Sequence, residues 1–260
     1  MQQTSALYKE LLAGDYTVET RVAIGESGLL VEKTGDRITF GGTRILIATS
    51  GADGGYGANM LSSVETSGGL FDGDEPSCGN CISREVNIKM LKPIVQIPGL
   101  SRVGIYARIT DGTRASEWLP QGVFFIDSIE EDAEDDDVRW LRIHGYDALL
   151  FSEQDYPSNT NLTWPAKDID VVREIASALG VTVDKRTKNA MKNAYLVQYN
   201  TTYSCREYLS YIAAMYAGCF IMSETGELQL VCFWDIPKET KYLIDNAGFA
   251  ITFGGDRIVV

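Results

Sequence analysis

A single histidine, His144, is the sharpest shortage in this 260-residue sequence. Any triad or dyad built on imidazole would have to run through it. It closes a strand pattern, two residues beyond Arg142 and on the face of Trp140, and so reads as structural. No apolar run approaches the ~20 residues that a bilayer-spanning helix needs. The opening MQQTSALYKELLAGDY has neither a basic segment nor a long apolar core, so no secretory signal is expected and folding is expected in a cytoplasm. Positive charge is scarce too: 23 Lys and Arg stand against 36 Asp and Glu, a net charge of −13. Nucleic-acid surfaces depend on Lys and Arg displacing counterions from phosphates, so this balance argues against DNA or RNA binding. The acidity serves either solubility alone or channel walls that DNA passes without sticking.

Zinc needs about four ligands, and the sequence offers only Cys78 and Cys81 as a lone C-x-x-C, with Cys205, Cys219 and Cys232 scattered in helix and strand patterns. A thioredoxin-like pair would open a helix after a strand. This one precedes a strand, so it reads as structural, the alternative being a metal or redox pair. No Gly-rich loop joins a strand to a helix as phosphate cradles require. Gly41-Gly42 and Gly254-Gly255 separate strand from strand. Carboxylates are plentiful, but their spacing in sequence neither places nor excludes a glycosidase pair.

What is present is β structure. After a short helix at 5–12, YTVETRVAI alternates, with Val18, Thr20, Val22 and Ile24 on one face. Strands LLVEK and RITFGGTRILIA follow around Thr34-Gly35-Asp36, and residues 49–76, rich in Gly, Ser, Asp and Asn, read as a long exposed loop. Alternation resumes with Val86, Ile88 and Met90, then with Val103, Ile105, Ala107 and Ile109. The stretch 117–147, EWLPQGVFFIDSIEEDAEDDDVRWLRIHGYD, is a hairpin about an acidic connection. Beyond Tyr146 the period becomes helical. Ile169, Val172, Ile175, Ala176 and Leu179 form one stripe, with Asp168 as N-cap and Gly180 past the end. Ser204 and Glu207 form a capping box for a helix striped by Cys205, Tyr208, Leu209, Ile212 and Tyr216 and stopped by Gly218. A hairpin around Thr225-Gly226 closes this unit.

Residues 29–47 align without gaps on 242–260, and nine of the nineteen positions are identical. Either one β-meander is used twice or two hairpins share turn chemistry by chance. The second copy ends on a strand edge, which a neighbouring chain covers or a longer protein continues. The expected class is β-rich α+β, with an antiparallel barrel-like unit at 1–147, a helix-helix-hairpin unit at 148–236, and the start of a second β unit at 237–260.

The ordered motifs resemble the N-terminal part of tailed-phage tail-tip and baseplate-hub proteins. The corner Glu117, Trp118, Pro120, Gly122 and Phe124 carries the likeness, with Gly79-Asn80 before it and Tyr146-Asp147-Ala148-Leu149-Leu150 after it. Trp164-Pro165, Ile175-Ala176, Leu179-Gly180-Val181, Arg206-Glu207, Leu209, Ile212-Ala213 and Gly226-Glu227-Leu228 continue it in order. The resemblance implies a structural virion protein rather than an enzyme, assembled in the host bacterial cytoplasm, with no cofactor. It implies a homotrimeric ring at the distal end of the tail tube, among tube, tape-measure and fibre or tip proteins, through which DNA passes without specific binding. It departs from the family in holding only the opening of a second barrel. Rival readings are the N-terminal domain of a tail-associated cell-wall hydrolase and a host-surface module binding glycans. Glu117, Trp118, Pro120, Gly122 and Phe124 are then structural anchors or subunit-interface residues, Trp118 foremost. The run Glu130, Glu131, Asp132, Glu134, Asp135, Asp136 and Asp137 reads as a solvated hairpin tip. A channel-facing acidic rim and a calcium site are its alternatives.

Overall fold

A computed structural model describes residues 4–25, 55–71, 75–93, 97–132, 139–191 and 195–233, together with the backbone of two-residue strands at 28–29, 39–40, 43–44, 46–47, 252–253 and 256–257. The fold is α+β, built on a curled, six-stranded antiparallel sheet. Its strands are β1 (Thr17–Ile24), β2 (Leu61–Ser67), β3 (Glu85–Leu91), β4 (Arg102–Thr110), β5 (Leu119–Asp132) and β6 (Trp140–Tyr146), in the order β1-β4-β5-β6-β3-β2. Period-2 alternation decides the faces. Val86, Ile88 and Met90 of β3, Val103 and Ile105 of β4, Phe124 and Ile126 of β5, and Leu141 and Ile143 of β6 form one buried cluster. Each such side chain contributes about 1.5–3 kcal/mol when fully buried. The first half of β1 runs past this core: Val22 is fully buried, whereas Val18 is 61% exposed.

Of the three register shifts in the described sheet, one lies between Leu61 and Ser63 of β2 and two flank β5. One of the latter two lies opposite Ile105 and Tyr106, where Pro120 and Gly122 pair while Gln121 does not. A bulge is where a strand tolerates proline. The other lies at His144 and Gly145, where a Cβ on Gly145 would stand 2.5 Å from the Phe125 carbonyl oxygen. Only glycine fits there.

The second cluster belongs to helices and a hairpin. A 3₁₀ helix (Ala148–Glu153) leads to α2 (Asp168–Ala178), α3 (Lys185–Ala190) and α4 (Cys205–Met215), followed by the hairpin β7 (Gly218–Met222) and β8 (Leu228–Cys232). Val171, Val172, Ile175, Leu209, Ile212, Phe220 and Leu228 centre this core. Ahead of the sheet, α1 (Ala6–Leu12) is capped by Ser5, whose hydroxyl accepts from the Tyr8 amide at 3.0 Å, and buries Leu11.

Several expectations change. Residues 49–76 are not one loop, because Leu61–Ser67 pairs with β3 as an edge strand. Asp168 is not the cap of α2 but its first residue. The cap position falls to Lys167, whose extended backbone pairs with Leu196. Asp168 is fully buried, and its carboxylate accepts from the Ile169 amide (2.7 Å), the Tyr216 hydroxyl (2.6 Å) and the Tyr195 amide (3.2 Å). An anion there still lies at the positive end of the helix dipole. Gly218 does not stop α4. Ala217 takes the left-handed turn (φ 46°), and Gly218 begins β7 because a Cβ would meet the Val231 carbonyl oxygen at 2.3 Å. The Ser204 capping box stands as expected, with both bonds formed. Most of the repeat lies outside the described residues. Thr39–Phe40 pairs with Thr43–Arg44, and Thr252–Phe253 pairs with Asp256–Arg257, in the same register at aligned positions.

Candidate interaction surface

The corner gathers residues from both ends of the sheet unit. Glu117 accepts from the Ser5 amide and hydroxyl, each at 2.6 Å, and Arg114 Nη1 reaches Glu10 at 2.8 Å. These contacts pin α1 to the β4–β5 connection. Two guanidinium groups lie over the Trp118 ring, with Arg21 Cζ at 4.1 Å and Arg108 Cζ at 4.5 Å from its centroid. Arg108 is held in turn by Glu19 at 2.6 Å. Arg21 Nη1 is buried and has no hydrogen-bond partner among the described residues. Phe124 and Gly122 turn the other way. Phe124 is fully buried in the sheet core, and a Cβ on Gly122 would meet its ring at 2.5 Å and Arg84 Nη2 at 2.9 Å. The five residues therefore divide into a half-exposed outer part and a buried inner part.

The Ser5 bonds hold the Glu117 carboxyl below its ordinary value of 4.5, side-chain bond first. A lowered carboxyl stabilises the fold above its unfolded value and loses that contribution as pH falls through the folded one. Glu117→Gln is expected to cost about 1 kcal/mol or less at pH 7, since the pair is exposed. That difference should shrink below about pH 4.5, as read by urea midpoints across pH; a difference constant with pH would count against the assignment.

The sheet face away from the core is polar. Residues Ser63, Glu65, Asn87, Lys89, Ser128, Glu130, Arg142 and His144 line a cleft of about 400 Å³. His144 is partly exposed, with Glu85 at 3.7 Å from Nε2 and Asp127 at 3.8 Å from Nδ1. Both distances exceed hydrogen-bond length. Its ring meets Tyr146 edge-on at 4.7 Å. Strand alternation splits the acidic run. Glu130 faces the cleft opposite Arg142, while Glu131 pairs with Lys92 and lies 3.9 Å from Arg139. The side chains of Asp132, Glu134, Asp135, Asp136 and Asp137 lie outside the described residues. Among the described residues no group of three His, Cys, Asp or Glu is placed to hold a metal.

The two cores meet along a seam that the sequence only hinted at. Asp147 is fully buried and accepts from Ser83 Oγ (2.8 Å), the Arg84 amide (2.9 Å) and the Leu149 amide (3.0 Å). Arg206 of α4 donates to the Leu149 carbonyl at 2.9 Å and to Ser152 Oγ at 3.0 Å. Beside them the Gly79 amide donates to Gly218 O (2.8 Å) and the Phe220 amide to Asn80 O (2.9 Å), so segment 79–81 runs parallel to β7. Phe125 and Phe151 meet edge-on at 5.1 Å. Farther out, Tyr156, Trp164, Tyr199, Tyr208, Tyr203 and Tyr211 form a chain of ring contacts between 4.6 and 6.3 Å. Tyr211 is 55% exposed, so this ladder is not all core.

No protein-family model and no curated protein matches the sequence. Among solved structures it is similar to the 43 kDa tail protein of prophage MuSo2 from Shewanella oneidensis, at 10% identity and a TM-score of 0.45, covering 83% of this chain and 56% of that one. It is also similar to a tail protein from Neisseria meningitidis MC58, at 14% identity and a TM-score of 0.42, covering 83% and 51%. A third is the half-lidded Francisella PdpA-VgrG complex, at 9% identity and a TM-score of 0.42, covering 82% and 31%. The chain thus spans about half the length of the first two.

Proposed function

We propose that this chain is a structural component of a phage-type tail, a tip or baseplate-hub subunit that assembles as a homotrimeric ring around the DNA channel and has no catalytic role. The observation that carries this reading is the order of Glu117-Trp118, Tyr146-Asp147-Ala148 and Arg206-Glu207 along the chain. The same residues make the joints described above: corner, seam and α4 clamp. Motifs kept in that order at joints fit a scaffold, which needs fixed angles between units more than it needs a cavity. In this reading residues 1–147 form the tube unit, 148–236 the outer unit and 237–260 the start of a second β unit.

The outer half of the corner is the proposed subunit interface. Trp118 is partly exposed and carries two cations, Arg21 and Arg108, over its ring. A ring requires heterologous contacts, so this corner meets a different surface of the neighbouring copy. The net charge of −13 suits a wall along which DNA slides without adhering.

Cryo-electron microscopy of the assembled particle tests the placement. Three copies at the tube end support it, and peripheral copies at fibre tips would make the chain an adhesin instead. Trp118→Ala should sharply lower the yield of assembled particles while leaving the isolated chain folded. Normal yield from that variant would remove the corner from the interface.

A further inference from the structure

Three of the five cysteines converge on the seam, although sequence reading paired only two of them. Cys78 is exposed, whereas Cys81 is buried and bridges to Phe220 in the parallel ladder. Cys81 lies beside Phe220 in that ladder, and strand alternation along β7 turns Cys219 to the opposite face from Phe220. Cys219 lies under the exposed segment with its Sγ 3.5 Å from the Ser77 carbonyl oxygen, and Gly79 (φ 89°) bends the chain just after Cys78. Cys78 follows Ser77 directly in the chain and so stands next to the residue that the Cys219 thiol touches.

We infer that Cys78 and Cys219, not Cys78 and Cys81, form a thiol–disulfide exchange site that staples the strand leading into β3 to β7 across the seam. The oxidant is a small disulfide such as oxidised glutathione. The exposed Cys78, as thiolate, attacks one glutathione sulfur, forming a mixed disulfide and releasing one glutathione thiolate. The Cys219 thiol then loses its proton to solvent, and its thiolate attacks the Cys78 sulfur and expels the second glutathione. Two protein thiols are oxidised and one glutathione disulfide is reduced, so electrons and sulfurs balance. Burial raises both buried thiols, Cys81 to about 12 and Cys219 as well, so place separates them: Cys81 packs into the helical core, whereas Cys219 lies against the segment that carries Cys78. The site does not depend on the hub reading. In a reducing cytoplasm it stays open, and outside the cell it can close.

The test treats the full chain with oxidised glutathione and maps the products after trypsin. Arg44 and Arg84 bracket Cys78 and Cys81 in one peptide, and Arg206 and Lys238 bracket Cys219 and Cys232 in another. Digestion is therefore repeated on Cys81→Ala/Cys232→Ala, in which only Cys78 and Cys219 remain in those peptides. The expected product joins the two peptides with loss of two hydrogens and melts several degrees higher than the reduced chain. Cys78→Ser and Cys219→Ala should each abolish it, the first being an exposed substitution that leaves the fold intact. A bridge confined to peptide 45–84, or Cys78 and Cys219 both remaining free thiols in the Cys81→Ala/Cys232→Ala protein, would overturn the assignment.

Discussion

Replacing Asp147 by alanine is expected to destabilise the chain by about 3–5 kcal/mol, the range for removing one member of a buried charged network. The carboxylate is fully buried, and its loss strands the Arg84 and Leu149 amides and the Ser83 hydroxyl without an acceptor. Arg84 Nε, 3.8 Å away, would lose its nearby counter-charge as well. Asp147→Asn should cost less, since one carbonyl oxygen remains to accept, though its amide opposes a donor. Urea unfolding measures both, and a cost below 1 kcal/mol for the alanine variant would show that the seam is held elsewhere. The pH dependence has the opposite sign to Glu117. Burial raises the Asp147 carboxyl above its ordinary 3.8, outweighing the bonds that lower it. Its linkage contribution is fully present below pH 3.8 and declines as pH rises through the folded value. Acid loss of stability should therefore follow Glu117 and Asp184, the latter lowered chiefly by its bond to Arg186.

Where sequence reading succeeded, one physical signal dominated. Strands β3 and β6 each bury every second residue, and β4 does so through Val103 and Ile105, so a period of two is visible before any pairing is known. Strand β2 gave no such signal, because an edge strand needs only Leu61 and Val64 inward and leaves the rest polar. Helix α3, KRTKNA, buries only Thr187, so it has no stripe to read. Asp168 looked like a cap because caps and buried first-turn acids use the same residue type. The partners that distinguish them, Tyr195 and Tyr216, lie 27 and 48 residues away. The corner was visible as a motif, but its division into inner and outer halves was not. That depends on the unpaired Gln121, which changes the register opposite Ile105 and Tyr106.

That division makes the second large prediction. Phe124→Ala removes a fully buried ring from the sheet core and should cost about 3–5 kcal/mol, a large share of the roughly 5–15 kcal/mol that holds an ordinary domain folded. Trp118→Ala, six residues earlier in the same motif, loses two cation–π contacts worth about 0.5–1 kcal/mol each at an exposed site. The isolated Trp118→Ala chain should melt within a few degrees of the parent, while Phe124→Ala should melt far lower. Gly122→Ala belongs with Phe124, since its Cβ would press on that ring and on Arg84; overpacking of this kind costs about 1–3 kcal/mol. Thermal melts of the three variants separate the roles. If Trp118→Ala lowered the melt as far as Phe124→Ala, the outer corner would be part of the core, and any loss of particle assembly would report folding rather than contact between subunits.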